Sequence, residues 1–279
     1  MHDVRGIVRR AAKAKKDKVE IKPNSNEGTI MGVPKELYEN AMTYPKCLSV
    51  DNFVRFMFAP TCCYQLVFPL DKHIDWNQVI KRGLQTLGSA LVIAYLFYQH
   101  ILPVCQASVV HFENRDYYNI LLSVLNVGIP CAYLWLTVFF LVFHAWTNFC
   151  GEVTRFADRR FYSDWWNAGH LAEYWRKWNY PIHNWLVRHV YYPLIRRGVR
   201  SDLARFLTFL VSAIAHEYIV IGIFRVVNFM AFLIMIVNVP AMQLQRALRG
   251  KVSSNVNNTL FWLCYTVLGQ PFAILLCYY

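Results

Sequence analysis

The feature that most constrains this chain is a set of apolar stretches long enough to cross a bilayer. About 20 apolar residues in a helix cover the ~30 Å hydrocarbon core, and residues 203–224 read LARFLTFLVSAIAHEYIVIGIF. Further stretches of this kind lie near 83–104, 119–147, 226–244 and 260–278. The sequence therefore predicts an all-α polytopic membrane protein, a helical bundle with about five transmembrane spans and additional helices at the interface.

The distribution of basic residues predicts how these spans are oriented. The net charge is +12, and Lys and Arg concentrate in residues 1–82, 148–201 and 246–259, whereas 105–118 and the C-terminus carry few. The positive-inside rule then places the N-terminus in the cytosol and the C-terminus in the lumen. Because the basic residues flank spans, they favour contact with anionic membrane lipids and argue against a nucleic-acid partner.

The chain divides by composition into two parts. Residues 1–50 are interpreted as a cytosolic basic segment and linker, and residues 51–279 as the membrane domain. Residues 51–69 are apolar but contain Pro60, which predicts a segment lying at the interface. Residues 105–118 are expected to form a short loop. No Cys or His spacing suits a metal, so no metal site is predicted.

The segment 148–201 is rich in Trp and Arg and is predicted to be cytosolic. From Ile182 onward apolar residues recur at helical spacing, and Pro181 and Pro193 are expected to bound an amphipathic helix in the membrane plane. Basic and aromatic side chains together suit a ligand with a phosphate-bearing head and a lipid tail.

His216 and Glu217 are the ionisable pair inside the span at 203–224. Such residues at bilayer depth usually face a protein interior or a wet cavity. A neutral imidazole keeps one acceptor nitrogen, so His216 has the chemistry of a general base toward a hydroxyl. The alternative is a structural histidine bonded to a carbonyl of a neighbouring helix. Val220 stands where a metalloprotease motif needs its second His.

Two amides and one aromatic motif add to this pair. Asn179 either polarises a carbonyl group or caps a helix that starts at Pro181. Gln270, between Gly269 and Pro271, is expected to break the last span and leave polar groups available at membrane depth. Asp164 is interpreted as an ion-pair partner of nearby arginines. The aromatic side chains around it, Tyr162, Trp165 and Trp166, are interpreted as interfacial anchors.

Several motifs together resemble the membrane-bound O-acyltransferase superfamily. FYSDWWN at 161–167, HEY at 216–218 and FAPTCCYQLVFP at 58–69 are similar to motifs of its diacylglycerol and sterol acyltransferase branch. The segments WNYPIHNWLVRHVYYPLIRRG at 178–198 and GQP at 269–271 resemble the type 1 diacylglycerol O-acyltransferases more than the sterol enzymes.

The resemblance implies an acyl-CoA-dependent O-acyltransferase that esterifies diacylglycerol to triacylglycerol in the endoplasmic reticulum membrane. It implies acyl-CoA and diacylglycerol as substrates, no separate cofactor, contact with membrane lipids and a possible homo-oligomer. Two alternatives stay open. One is a sterol or fatty-alcohol acyltransferase; the other is a truncated, non-catalytic membrane partner, because family members are longer and carry further N-terminal spans.

The resemblance also implies roles for particular residues. His216 matches the catalytic histidine, Asn179 the second family-wide polar residue, and Glu217 and Gln270 polar groups of the same chamber. In this hypothesis Glu217 orients the imidazole. The region expected to bind acyl-CoA comprises Phe161, Tyr162, Asp164, Trp165, Trp166 and Asn167.

Overall fold

A computed structural model describes residues 29–30, 33–34, 43, 45, 48–66, 68–247 and 253–279. Most of the predicted basic segment and linker, 1–50, lies outside these residues. The chain divides into two compact units. The first unit comprises Met1–Val79 and Asn148–Arg159, and the second comprises Ile80–Thr147 and Arg160–Tyr279.

Helices make up nearly all of the described secondary structure, which confirms the predicted all-α class. The exceptions are a two-residue antiparallel pair, β1 (Thr29–Ile30) with β2 (Val33–Pro34), and an isolated bridge between Leu70 and Phe156. The helices in chain order are α1 (Val50–Phe58), α2 (Trp76–Leu96), α3 (Leu102–Glu113), α4 (Tyr117–Phe139), α5 (Thr147–Val153), α6 (Leu171–Trp178), α7 (Tyr180–Leu186), α8 (Tyr192–Arg196), α9 (Ser201–Phe224), α10 (Met230–Ala247), α11 (Ser254–Trp262) and α12 (Gln270–Tyr278).

Five helical segments of the described chain are long and apolar enough to cross a membrane, which confirms the predicted number. They are Trp76–Glu113, Tyr117–Val153, Ser201–Ile223, Met230–Ala247 and Asn255–Tyr278. Several are longer than predicted, because helix continues beyond the apolar core into polar flanking residues.

Two predicted boundaries are wrong. Residues 105–118 are not a loop: helix runs to Glu113, and only a short turn precedes α4, where Asp116 accepts a hydrogen bond from the Asn119 backbone N–H at 3.2 Å. The fourth span begins at Met230 rather than at 226. Arg225 and Phe229 both adopt a left-handed conformation with φ of 56°, so the chain leaves helix between them.

A π-helical turn precedes each of three prolines, Pro103, Pro193 and Pro271, and the helix continues through them. The turns Phe97–Ile101, Val187–Tyr191 and Leu263–Gly269 each end two residues before a proline. Proline lacks an N–H and its ring clashes with the carbonyl four residues back, and a π-helical turn widens the helix locally. Helix therefore continues where the sequence predicted an end at Pro193 or a break around Gln270.

A fourth π-helical turn, Phe140–Trp146, follows α4. Helix α4 itself continues through Pro130. A proline inside a span is expected to tilt or kink the helix, and at Pro130 this stays a prediction.

Helix α1 represents the predicted interfacial segment 51–69. Ser49 caps it by accepting from the Asn52 backbone N–H at 3.1 Å, and it ends at Phe58, before Pro60. Its side chains Val50, Met57 and Phe58 are exposed. An exposed apolar face suits a membrane interface, and the interfacial location stays a prediction.

Two buried clusters hold the second unit together. One joins α3, α4 and α12 through Cys105, Val127, Cys131 and Leu275. The other is aromatic and joins the end of α4 to the region of the FYSDWWN motif, and it consists of Phe139, Trp165, Ala168, Tyr174 and Trp178. This second cluster fixes the segment that carries most of the predicted site residues.

The first unit contains a partly buried ion-pair cluster around Arg159. Its guanidinium pairs with Glu152 and with Asp71, and its Nε donates to the Phe156 carbonyl at 2.8 Å. The Glu152 side chain is only 9% exposed. Gly151 lies beside this side chain: a Cβ there would be in ordinary van der Waals contact with Arg159 Nε, at 3.5 Å. The cluster ties residues near 71 to residues 151–159.

Replacing Arg159 with Met should destabilise this unit, because it leaves the Glu152 carboxylate buried without its cation. Loss of one partner of a fully buried pair costs about 3–5 kcal/mol, and we expect a smaller loss here because Arg159 is partly exposed. The thermal midpoint of the detergent-solubilised protein measures this. Arg55→Met is the matched control, because Arg55 forms an exposed pair with Asp51 within one helix, worth about 0.3–0.5 kcal/mol. Equal midpoints for the two variants would contradict the assignment.

Candidate active site

His216 lies in the middle of α9 with an exposed side chain. Its Nδ1 is 2.7 Å from the Ser212 carbonyl oxygen, one turn earlier in the same helix. A carbonyl oxygen only accepts, so Nδ1 carries the hydrogen of the neutral ring and Nε2 carries the lone pair. The structural alternative predicted a carbonyl of a neighbouring helix as the partner. The observed partner belongs instead to the helix of His216 itself. Because this hydrogen bond uses only Nδ1, the lone pair on Nε2 can accept a proton.

Glu217 points away from His216 into the protein. Its side chain is buried, and its carboxylate accepts from the Phe229 backbone N–H at 2.9 Å and from the Phe232 backbone N–H at 3.2 Å. These donors lie at the start of α10, where helical N–H groups lack partners within the helix. The described partners of Glu217 therefore tie α9 to α10. That geometry differs from the hypothesis in which the carboxylate orients the imidazole.

Asn179 occupies the junction between α6 and α7. Its Oδ1 accepts from the Ile182 backbone N–H at 3.1 Å, which confirms the capping interpretation. Pro181 stands in the first turn of α7, where its missing N–H costs nothing. The cap uses the amide oxygen, and the amide nitrogen of Asn179 is a donor by its chemistry.

The backbone brings the FYSDWWN motif beside this junction. The Phe161 carbonyl accepts from the Tyr180 N–H at 2.8 Å, and the Ser163 N–H donates to the Lys177 carbonyl at 3.0 Å. Residues 161–163 therefore run alongside residues 177–180. Two motifs separated in sequence, the predicted acyl-CoA region and Asn179, lie next to each other.

The two tryptophans of the motif take different positions. Trp165 is buried, with its ring centroid 4.6 Å from that of Phe139 and 5.0 Å from that of Trp178. It is a core residue and not the predicted interfacial anchor. Trp166 is exposed, and its carbonyl accepts from Asn258 Nδ2 and Trp262 Nε1, both at 3.2 Å.

The other four predicted site residues of the motif differ in burial and in their partners. Phe161 is buried and Asn167 is exposed. Asp164 accepts from Ser163 Oγ at 2.7 Å and pairs with Lys177 Nζ at 3.0 Å, so its cation is a lysine and not an arginine. Tyr162 is half-buried, and burial raises the pKa of its hydroxyl while the Arg82 charge opposes that rise.

Sequence reasoning missed a polar connection between Tyr162 and the first two spans. The Tyr162 hydroxyl lies 2.7 Å from His144 Nδ1, and Arg82 Nη1 lies 2.7 Å from His144 Nε2. Arg82 also donates to Gln85 Oε1 at 3.0 Å. The available signal was the position of His144 inside an apolar stretch, where an ionisable side chain needs a partner, and of Arg82 directly before the predicted span at 83–104.

Gln270 is the first residue of α12, directly after a π-helical turn. Its Oε1 is buried and has no hydrogen-bond partner among the residues that the structure describes, and the same holds for Thr266 Oγ1 one turn earlier. Buried polar groups without a protein partner usually bond to water or a ligand. The Oε1 atom of Gln270 is therefore available for a ligand, whereas the side chain also interacts with Tyr265. Helix continues through this residue.

Helix α10 is the common neighbour of the elements that carry His216, Asn179 and Gln270. It packs against α9, α6 and α12. Trp175 of α6 donates from its indole N–H to Asn238 of α10 at 3.2 Å. The Trp175 ring also contacts Phe209 of α9, with centroids 6.2 Å apart.

Phe209 shares a helical face with His216. The two residues are seven apart, which is about 10.5 Å along the axis. The face of α9 that carries His216 also carries Phe209, and the contact of Phe209 with Trp175 of α6 lies about two turns from His216. In the described part of the chain, no hydrogen bond joins His216, Asn179 and Gln270 to one another.

Comparison with known proteins assigns this chain to a family. The model of MBOAT, the membrane-bound O-acyltransferase family, matches residues 32–278. The chain belongs to that family, and the resemblance drawn from its motifs is confirmed.

Relatives of this chain include diacylglycerol O-acyltransferases of several organisms. Diacylglycerol O-acyltransferase 1C of Glycine max is 36% identical over 239 residues, covering 85% of this chain and 46% of the relative. Diacylglycerol O-acyltransferase 1-1 of Oryza sativa subsp. japonica is 37% identical over 232 residues, covering 83% and 43%. Diacylglycerol O-acyltransferase 1 of Dictyostelium discoideum is 35% identical over 239 residues, covering 86% and 38%. The chain spans less than half the length of these relatives.

Glu217→Gln tests whether the carboxylate supports α10. The amide nitrogen can only donate, so one backbone N–H at the start of α10 loses its acceptor, at a cost of about 1–3 kcal/mol. We expect a lower thermal midpoint, with Tyr218→Phe at an exposed neighbouring position as the control. An unchanged midpoint would contradict the proposed support of α10.

Lys177 lies between Asp164 and Glu173, and this arrangement predicts a pH-dependent contribution to stability. A hydrogen bond from Ser163, and then Lys177, lowers the pKa of Asp164, while Lys177 lowers the pKa of Glu173. Lowered carboxyl pKa values stabilise the fold above the ordinary values of about 3.9 and 4.3, and this stabilisation is lost as the pH falls.

The thermal midpoint of Lys177→Met should therefore lie below that of the wild type at pH 7, and the gap should narrow below about pH 4. Arg176→Met, at the exposed neighbouring cation, should show no such narrowing between about pH 5 and 3. A gap that stays constant in Lys177→Met would refute the ion-pair assignment.

Proposed function

We propose that this protein is an acyl-CoA-dependent O-acyltransferase that esterifies diacylglycerol to triacylglycerol. The observation that carries the proposal is the His216 imidazole, exposed in the middle of an apolar helix with Nδ1 bonded to Ser212 and the lone pair on Nε2. Membership of the acyltransferase family and similarity to diacylglycerol O-acyltransferases support the reaction class and the acceptor.

In this proposal Nε2 of His216 acts as the general base. It removes the proton from the acceptor hydroxyl as the oxygen attacks the thioester carbonyl carbon. The C–S bond then breaks, and the coenzyme A sulfur takes the proton back from the imidazolium. The acyl group ends on the acceptor oxygen, no acyl-enzyme forms and His216 returns to its neutral state.

Amide groups support the developing negative charge on the thioester oxygen. Asn179 has its amide nitrogen available as a donor while its oxygen caps α7, and a well-placed donor contributes about 2.7–4 kcal/mol to such a transition state. Gln270 positions the thioester or the hydroxyl. Glu217 acts indirectly, by holding α9 against the start of α10.

The motif at 161–167 serves acyl-CoA binding. Its buried members, Phe161 and Trp165, shape the site, while Tyr162, Asp164, Trp166 and Asn167 offer polar or exposed groups. A polyanionic coenzyme A head suits the Arg- and Trp-rich segment 148–201 on the cytosolic side. The acyl tail and diacylglycerol reach the site from the bilayer, where exclusion of water protects the thioester.

The same proposal includes the endoplasmic reticulum membrane as the location, with the N-terminus in the cytosol and the C-terminus in the lumen. The distribution of basic residues supports this orientation. A homo-oligomer stays part of the proposal.

Microsomes from cells that express the chain test the function. Labelled oleoyl-CoA is supplied with diacylglycerol, cholesterol or hexadecanol, and we expect label in triacylglycerol. Label in a sterol ester or wax ester would instead identify the alternative acceptors. Label in none of the three would leave the non-catalytic alternative and refute the proposed activity.

His216→Ala should reduce this turnover by at least ~10²-fold, because removal of a general base costs about 10²–10⁴. His100→Ala is the matched control, since His100 is another exposed histidine within a span. Immunoblots of the membrane fraction establish equal insertion. Wild-type turnover in the inserted His216→Ala protein would contradict the assigned role.

A further inference from the structure

Three elements of the second unit meet through one line of polar side chains. Arg82 comes from α2, His144 from the π-helical turn after α4, and Tyr162 from the FYSDWWN motif. The contacts are Arg82 Nη1 to His144 Nε2 and His144 Nδ1 to the Tyr162 hydroxyl, both 2.7 Å. All three are part-buried.

The chemistry of arginine fixes the direction of these hydrogen bonds. A guanidinium has donors and no acceptor, so His144 Nε2 must accept from Arg82. The neutral imidazole then carries its hydrogen on Nδ1, which donates to the Tyr162 oxygen. The Tyr162 O–H is consequently directed to a further acceptor, and each donor in the line strengthens the next.

The position of Tyr162 indicates what that acceptor is. Its neighbour Phe161 accepts a backbone hydrogen bond from Tyr180, which follows Asn179, so the backbone at Tyr162 lies beside the segment that carries the proposed thioester donor. The Tyr162 ring also packs against Phe139, with centroids 4.9 Å apart. A neutral carbonyl oxygen suits a half-buried aromatic setting better than a phosphate, whose burial is costly.

We infer that Arg82 and His144 are positioning residues that hold the Tyr162 hydroxyl as a hydrogen-bond donor to a carbonyl oxygen of acyl-CoA. This inference rests on the proposed function and adds to it a binding contact and two residues outside the sequence motifs. Arg82 acts by keeping the ring hydrogen of His144 on Nδ1. Without its donor, the ring can place hydrogen on Nε2, so that Nδ1 accepts from Tyr162 and turns the hydroxyl away from the ligand.

The test measures binding of a non-reactive ketone analogue of oleoyl-CoA, in which a methylene separates the sulfur from the carbonyl, to the full chain in detergent. Tyr162→Phe removes only the hydroxyl and should weaken binding about 3- to 10-fold, the range for one neutral hydrogen bond. Arg82→Met should weaken binding to the same extent. The double variant should bind no worse than either single variant, because both remove one interaction.

Two conservative variants separate this role from simpler ones. Arg82→Lys keeps a donor for His144 and should bind the analogue within about twofold of the wild type. Lys81→Met removes the adjacent exposed cation and should also leave binding unchanged. Weakening by Lys81→Met equal to that by Arg82→Met would mean general attraction of the coenzyme A phosphates and would overturn the inference.

Further outcomes are equally decisive. Unchanged binding in Tyr162→Phe, or a fall in its thermal midpoint alone, would overturn the inference in favour of a purely structural connection. A thioether analogue without the acyl carbonyl locates the acceptor. If Tyr162→Phe also weakens its binding, the acceptor is a pantetheine carbonyl, and if not, it is the acyl carbonyl.

The proposed function can fail separately from this inference. A wild type that binds the ketone analogue, with the expected loss in Tyr162→Phe, but transfers no acyl group would refute the reaction and support the contact. A wild type that transfers acyl groups with the same KM for acyl-CoA as Tyr162→Phe would support the reaction and refute the contact. A wild type that does not bind the analogue would refute both.

Discussion

The hydrogen bond from His216 Nδ1 to the Ser212 carbonyl sets the state of the side chain on which the proposed chemistry depends. It confines the ring hydrogen to one nitrogen and gives the other the character of a base. A helix in hydrocarbon satisfies its backbone groups internally, and here one carbonyl also serves a side chain one turn later. Both partners of this hydrogen bond belong to α9, so the tautomer of His216 is set without a residue from another helix.

Neighbouring residues of α9 divide their roles because successive side chains on a helix point in different directions. His216 is exposed, whereas Glu217 is buried against the start of α10 and accepts two of its backbone N–H groups. The HEY motif thus combines the proposed general base with a structural group. The arrangement makes the position of His216 depend on how α9 and α10 are held together.

Much of this architecture could be predicted from the sequence, because bilayer thickness turns apolar run length into helix number. Capping chemistry likewise gave Asn179 a correct local interpretation. Predictions from proline positions were wrong. Pro193 was expected to end a helix and Pro271 to break one, whereas each follows a π-helical turn by two residues and the helix continues. The left-handed Phe229 had no signal in its residue type.

Pairings between distant segments could not be predicted in the same way. His144 bridges Arg82 and Tyr162, and Lys177 rather than an arginine pairs with Asp164. Each depends on which of several charged side chains the packing brings near. The buried Gln270 oxygen, without a partner in the described residues, shows the converse: the sequence indicated a polar group at depth, and the structure leaves it available.

The most direct test of the central claim is the tautomer of His216 in lipid at pH 7. Nitrogen NMR of histidine-labelled protein, with the His216→Asn spectrum subtracted, resolves the two ring nitrogens of this residue. The account predicts a neutral ring with hydrogen on Nδ1 and none on Nε2. An imidazolium ring, or a neutral ring with hydrogen on Nε2, would contradict it.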